Sequence, residues 1–237
     1  MPSIPQLHEG SAFPPTAQAL QWPNGLLAMG GGLSCARLLD AYSRGIFPWY
    51  EAPQPVLWWT PDPRSVLFPD ALHISRSLRK TLRSNRFRLA VDSHFGAVMR
   101  ACADVRRDTV GTWIDEDMVT AYEELHALGF AHAVEVFDDN GALVGGLYGV
   151  SLGRVFFGES MFSRATDASK VALVALVDIA KRGDIQLIDC QVENPHLNSL
   201  GATNINRLDF EQCLEQNVSV AIERDIWHLP ATCGDLL

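Results

Sequence analysis

No C-x-x-C pair occurs among the five cysteines of this 237-residue chain, and none stands at metal-ligand spacing with the seven histidines. An odd, scattered set reads as reduced thiols and argues against a disulfide frame or a zinc site. The chain also lacks a basic n-region and apolar h-region at its start, and no apolar run approaches the ~20 residues that span a bilayer. A cytoplasmic protein without a membrane partner is therefore expected. A Walker motif is missing as well. The glycines of GGLYGVSLG (145–153) fall on a predicted hairpin, not between a strand and a helix. They read as bulges and tight turns, not as a phosphate cradle. Proline is nearly absent from most of the chain: eleven of thirteen lie in the first 69 residues, with four of the six tryptophans. That asymmetry predicts a small N-terminal domain at 1–62 and a larger one at 63–237, with the boundary near TPDPRS.

Apolar (47%) and charged (20%) content is ordinary for a globular protein. At this length it supports one substantial core, or a medium domain plus a small one. Charge is less evenly spread. Seven basic residues and one acid lie between Arg64 and Arg88, a window at +6 in a chain at −9, which leaves −15 elsewhere. Such a chain is a poor general coater of nucleic acid, but it offers one docking surface for a phosphate-rich partner. A solvated helix face with incidental arginines is the commoner origin of a charge run.

Periodicity locates the elements. Ser34 caps a predicted helix running to Arg44, with Gly45 suited to the position after its end. Ile74, Leu78 and Leu82 form an apolar stripe, with Arg76, Arg79, Lys80 and Arg83 on the other faces of the same helix. Phe95, Val98, Met99 and Cys102 make a second stripe, and Met118, Tyr122 and Leu125 a third, opened by Asp115, Glu116 and Asp117 where the helix dipole favours acids. The period then changes: 133–137, 142–150 and 154–160 read as three strands of a meander joined by Asp-Asn-Gly and Leu-Gly turns. A helix from Thr166 or Asp167 to about Lys181 follows, then a strand at LIDCQV and a short helix. This order predicts an α+β fold, a mixed sheet flanked by helices, behind a small N-terminal α/β domain.

The segment 187–194, LIDCQVEN, carries the clearest chemical signal. On an extended strand Leu187, Asp189 and Gln191 share one face, and Ile188, Cys190 and Val192 the other. Two neighbouring polar groups on a buried strand need partners. Those partners are either each other, as a structural pair closing a sheet edge, or a substrate.

GIFPWY (45–50), WWTPDPRSVLFP (58–69), GTWI (111–114), LVGGLYGVSLGRVFFGESMFSRATDASKVAL (143–173) and LIDCQVENPHLNSLGA (187–202) occur in that order. Together they resemble the leucyl/phenylalanyl-tRNA–protein transferases, over about Trp22 to Phe210. The resemblance implies an acetyltransferase-like (GNAT-like) fold and transfer of Leu or Phe, with Met as a further donor, from aminoacyl-tRNA to proteins beginning with Arg or Lys, which marks them for degradation. It implies that Asp189 and Gln191 are catalytic, that Leu147, Leu173 and Leu176 line the amino-acid pocket, and that Trp49 and Trp113 flank the 3′ adenosine. It also implies contacts to the reacting groups or the acceptor from Glu159 and Asn194, and tRNA contacts from Arg76, Arg79, Lys80 and Arg83. A monomer without metal or cofactor is expected.

Aminolysis of an ester is downhill, so ATP is not required. A protein α-amine has a pKa of ~7.7–8.0 and is partly neutral near pH 7, so positioning can supply most of the acceleration. A carboxamide is no useful base, but its oxygen can accept a hydrogen bond from the amine and aim its lone pair. On this reading Gln191 aligns the nucleophile. Asp189 orients that amide or takes the proton, with water or the ribose hydroxyl as other acceptors. Two other classes stay open on the residues alone. An acyl-CoA N-acyltransferase is disfavoured by the missing phosphate-binding helix N-terminus after a central strand. An RNA-binding module would use the 64–88 patch and the tryptophans.

Overall fold

The computed structural model describes residues 4–107 and 114–237. Two sheets organise it. The smaller joins β1 (Gln6–Leu7), β2 (Leu26–Gly30), β3 (Phe47–Pro48) and β4 (Leu57–Trp59) in the order β1-β2-β4-β3, with α1 (Cys35–Ser43) between β2 and β3. Ser34 caps α1 through its side chain, and Gly45 follows the helix at φ +72°. That matches the role its sequence position implied.

The larger sheet draws on most of the remaining chain. Its elements are β5 (Arg64–Leu67), α2 (Arg76–Arg83), β6 (Arg88–Val91), α3 (Phe95–Arg107), α4 (Glu116–Ala127), β7 (Ala131–Phe137), β8 (Leu143–Leu152), β9 (Val155–Ser163), α5 (Ala168–Arg182), β10 (Leu187–Gln191), α6 (Pro195–Asn198), β11 (Thr203–Ile205) and α7 (Arg207–Asn217). The seven strands lie in the order β11-β5-β10-β9-β8-β7-β6. The β7-β8-β9 meander is antiparallel, and α5 is the crossover that returns the chain to pair β10 parallel with β9. The mixed α+β architecture is the one the element order predicted.

Helix α5 covers one face of the sheet. Its Val171, Ala172, Ala175, Leu176 and Ile179 pack with Val134, Val136, Leu147, Phe156 and Ile188. The opposite face is covered by α3 and α4, and there Tyr42, Ile46, Phe47 and Trp58 of the N-terminal part share one buried cluster with Val98, Met99, Tyr122, Tyr148 and Phe157. The two sheets therefore bury apolar surface against a common core, which is the main term holding the N-terminal part in place.

Two irregularities in adjacent strands open the site. In β9, Ser160 pairs with Tyr148 and Gly158 with Gly149, so Glu159 is an extra residue on its strand. In β10, Asp189 pairs with Val66 and Gln191 with Ser65, so Cys190 is the extra residue. A bulge bends its strand and re-aims the neighbouring side chains. Pairing between β9 and β10 reaches only Asp189 and Phe157, and a Cβ on Gly158 would lie 3.3 Å from the Asp189 carbonyl. At Gly149 a Cβ would meet the Phe157 carbonyl at 2.1 Å and the Phe156 ring at 2.6 Å, so only glycine lets the bulged strand close there.

Candidate active site

Beyond the point where β9 and β10 stop pairing lies a cavity of about 510 Å³ between β8, β9, β10, α5 and α6. Its lining joins apolar side chains, among them Leu147, Phe156, Met161, Leu173, Leu176 and Leu197, to the polar Glu159, Asp189 and Gln191. Trp49 also lines it, 41% exposed and tilted against Trp59 at 5.7 Å between ring centroids.

The polar lining is layered. Asp189 is fully buried and takes a bidentate contact from Arg64, with Nε at 2.8 Å from Oδ1 and Nη2 at 2.6 Å from Oδ2. Arg64 is itself fully buried, packs over Phe47 and Phe210, and gives its remaining nitrogen to the Gly45 carbonyl at 2.9 Å. This corrects the reading of Arg64 as part of the basic patch: its charge is cancelled inside the protein. Oδ1 of Asp189 also accepts from the backbone N–H of Gln191 at 2.9 Å, holding that residue at φ +64°. The strict alternation expected along LIDCQV therefore ends at Asp189, because the bulge at Cys190 resets it.

Gln191 reaches across to β9, where its Nε2 donates to Oε1 of Glu159 at 2.8 Å. Oε2 of Glu159 accepts from the Tyr122 hydroxyl at 3.1 Å, and Tyr122 shares a short hydrogen bond with Tyr42. Burial drives the Glu159 carboxyl up to about 7, against the lowering effect of the two phenols and Gln191, with Asp189 adding to the rise. Burial first, then the charge of Glu159, raises both phenols well above their ordinary value, so they remain hydrogen-bond donors at neutral pH. Strand β9 continues past Glu159 to Ser163, and the carboxylate is the hub of a buried network.

Leu147 on β8 and Leu173 and Leu176 on α5 all line the cavity. Asn194 lines the cavity while its side chain caps α6 by accepting from His196 N–H at 2.8 Å. His196, which sequence reasoning passed over, also lines the cavity. Its Nε2 is buried without a hydrogen-bond partner among the described residues, and burial followed by the charge of Lys170 lowers its pKa. Trp113 lies outside the described residues.

Arg76, Arg79, Lys80 and Arg83 stand exposed on α2, apart from the cavity lining, and none pairs with an acid among the described residues. The helix is joined to the first turn of α5 by Thr81 donating to Asp167 at 2.8 Å, and Lys170 approaches the same carboxylate at 3.0 Å. A basic surface thus adjoins the helix whose Ser169, Leu173 and Leu176 line the cavity. Among the described residues there is no cluster of three or more metal-ligating side chains, and no helix is long and apolar enough to cross a membrane.

Comparison with known proteins gives concordant matches. Residues 66–215 match the family described as leucyl/phenylalanyl-tRNA protein transferase, and residues 31–62 match its N-terminal domain. A protein named leucyl/phenylalanyl-tRNA–protein transferase from Nitrosospira multiformis is 55% identical over 224 residues, covering 94% of this chain and 96% of that protein. One of the same name from Methylococcus capsulatus is 54% identical over 230 residues, 97% of this chain and 96% of that protein. Among solved structures, L-PGS from Bacillus licheniformis is similar over 57% of this chain and 48% of that one, at 12% identity and a TM-score of 0.40.

Proposed function

The chain belongs to the leucyl/phenylalanyl-tRNA–protein transferase family, a family of aminoacyltransferases, and on that premise we propose its substrates and the roles of its residues. The donor is tRNA charged with leucine or phenylalanine, with methionine as a further donor. The acceptor is the α-amine of a protein beginning with Arg or Lys, and the product is a cytoplasmic protein marked for degradation. One observation carries the reading: a single cavity of about 510 Å³ is lined both by Leu147, Leu173 and Leu176 and by the hydrogen-bonded pair Gln191 and Glu159.

The apolar part of the lining takes the donor side chain. Burying a leucine or phenylalanine side chain there contributes roughly 1.5–3 kcal/mol, and each missing methylene costs about 1–3 kcal/mol of discrimination. Leu147, Leu173 and Leu176 form this wall. Trp49 stacks the terminal adenine, for about 1–3 kcal/mol per stacked base. Asn194 stands beside the ester. The exposed cations Arg76, Arg79, Lys80 and Arg83 hold tRNA phosphates, one helix away from the cavity that receives the 3′ end.

Gln191 and Asp189 set the nucleophile. With Nε2 engaged by Glu159, the Gln191 carbonyl oxygen is left to accept a hydrogen bond from the incoming amine. Asp189 works from behind. Bound twice by Arg64 and once by the Gln191 N–H, it fixes the backbone that carries the amide. This makes Asp189 a positioning residue, and the proton must go elsewhere.

The test is a matrix of donors and acceptors. Leu-tRNA and Phe-tRNA should extend Arg- and Lys-initiated peptides, and Val-tRNA should lag by at least tenfold in kcat/KM. An N-acetylated Arg peptide should be inert. Equal extension of Glu-initiated and Arg-initiated peptides would contradict the acceptor assignment.

A further inference from the structure

We propose that Glu159 handles the proton of the transfer: it takes the proton shed by the attacking amine and returns it to the departing ribose oxygen, with Tyr122 and Tyr42 holding it from behind. The inference rests on the transfer reading above and deepens it. In the step, the neutral amine nitrogen attacks the ester carbonyl carbon and the C–N bond forms. The nitrogen then loses a proton to the Glu159 carboxylate. The bond from carbonyl carbon to the ribose 3′ oxygen breaks, and that oxygen receives the same proton. The carboxylate is regenerated, and no further reactant is consumed.

Asp189 is poorly placed for this work. Both of its oxygens are occupied by a fully buried guanidinium, and one also by a backbone N–H. A proton on it would compete with the guanidinium and leave Arg64 as an uncompensated buried charge. Among the described residues no cation lies against Glu159. The ionisable and polar groups that face it are Tyr42 on α1, Tyr122 on α4, Tyr148 beyond Tyr122 on β8, and Asp189 and Gln191 on β10, with Arg64 screened behind Asp189. A carboxyl so placed, held near the ordinary operating range by burial, exchanges a proton at little cost in either direction.

The hydrogen bonds also tie its charge state to the alignment of the nucleophile. Ionised Glu159 accepts from Gln191 Nε2, which leaves the amide oxygen toward the amine. Protonated Glu159 can donate to that oxygen instead, which turns the amide and withdraws the acceptor from the amine. Uptake of the proton therefore coincides with release of the nucleophile's guide, after the nucleophile has reacted. The bulge at Glu159 explains how a strand residue reaches both the phenols and Gln191.

The experiment must separate Glu159 from the acceptor amine, which titrates in the same range. An Arg-initiated acceptor whose α-amine is replaced by an aminooxy group keeps an unprotonated nitrogen throughout. With saturating Leu-tRNA and this acceptor, kcat should rise with pH about a midpoint near 7. Glu159→Gln should lose that dependence and at least ~100-fold in kcat, with acceptor KM little changed. Tyr122→Phe removes a donor to the carboxylate, so its midpoint should move to higher pH. Glu159→Asp should keep a titrating profile at a reduced rate. A flat wild-type profile, or a Glu159→Gln enzyme that keeps kcat and only raises acceptor KM, would overturn the proton role while leaving the transfer reading intact. No Leu-extended product from wild type with an ordinary Arg peptide would overturn both.

Discussion

Three buried charges decide how individual residues behave. Arg64 and Asp189 sit 125 positions apart and neutralise each other in full burial. Asp189→Asn should therefore lose about 3–5 kcal/mol of stability as well as turnover, because it strands the guanidinium. The double change Arg64→Met with Asp189→Leu should recover most of that stability in urea melts, yet leave kcat low, since nothing then accepts the Gln191 N–H. Recovery of both would make Asp189 purely structural. Glu135 is the third. Its Oε1 accepts from His94 N–H at 2.7 Å at the start of α3, its Oε2 has no hydrogen-bond partner among the described residues, and burial lifts its carboxyl to about 7. A raised carboxyl pKa means that the folded state binds the proton more tightly. The stabilisation is thus complete below the ordinary value of 4.5 and is lost as pH rises through about 7. Urea midpoints should fall from pH 5 to pH 8, and Glu135→Gln should flatten that fall, with Glu159→Gln removing a further share. An unchanged slope in both variants would show that neither carboxyl is shifted.

At the scale of elements, what could be read from the sequence was what repeats. The stripes of α3 and α4, the meander β7-β8-β9 and the long α5 each run seven residues or more and bury one face, so periodicity exposed them. Strands β5, β6 and β11 run three or four residues, too short to show a period, and they were missed. Arg64 looked like surface charge because its partner lies on a strand far along the chain. The site was legible as residue types but not as geometry: Glu159 and Gln191 meet only because two neighbouring strands each carry an extra residue, and a bulge leaves no periodic trace. The basic face of α2 gives a prediction at this scale. If it grips tRNA phosphates, Arg76→Ala with Arg79→Ala should reduce the slope of log K against log salt by about 1.4–1.8. The preference for Leu over Val esters, set in the cavity, should not change. An unaltered salt slope would return those arginines to the role of a solvated helix face.

Across the whole molecule charge is uneven: the chain carries −9 overall, while Arg76, Arg79, Lys80 and Arg83 stand exposed on α2, which Thr81 ties to Asp167 at the start of α5. On the reading proposed above, that helix is where tRNA phosphate docks. The N-terminal part contributes Trp49, just after β3, to the cavity lining and Tyr42 of α1 to the network behind Glu159, so the site draws on both parts of the chain. The most direct test is a reaction with purified components: this chain, Leu-tRNA and an Arg-initiated peptide, without ATP or coenzyme A, read by mass spectrometry. The expected result is a peptide extended by one N-terminal leucine, with release of uncharged tRNA. An unmodified peptide, or an extension that appears only when an acyl-CoA is supplied, would contradict it.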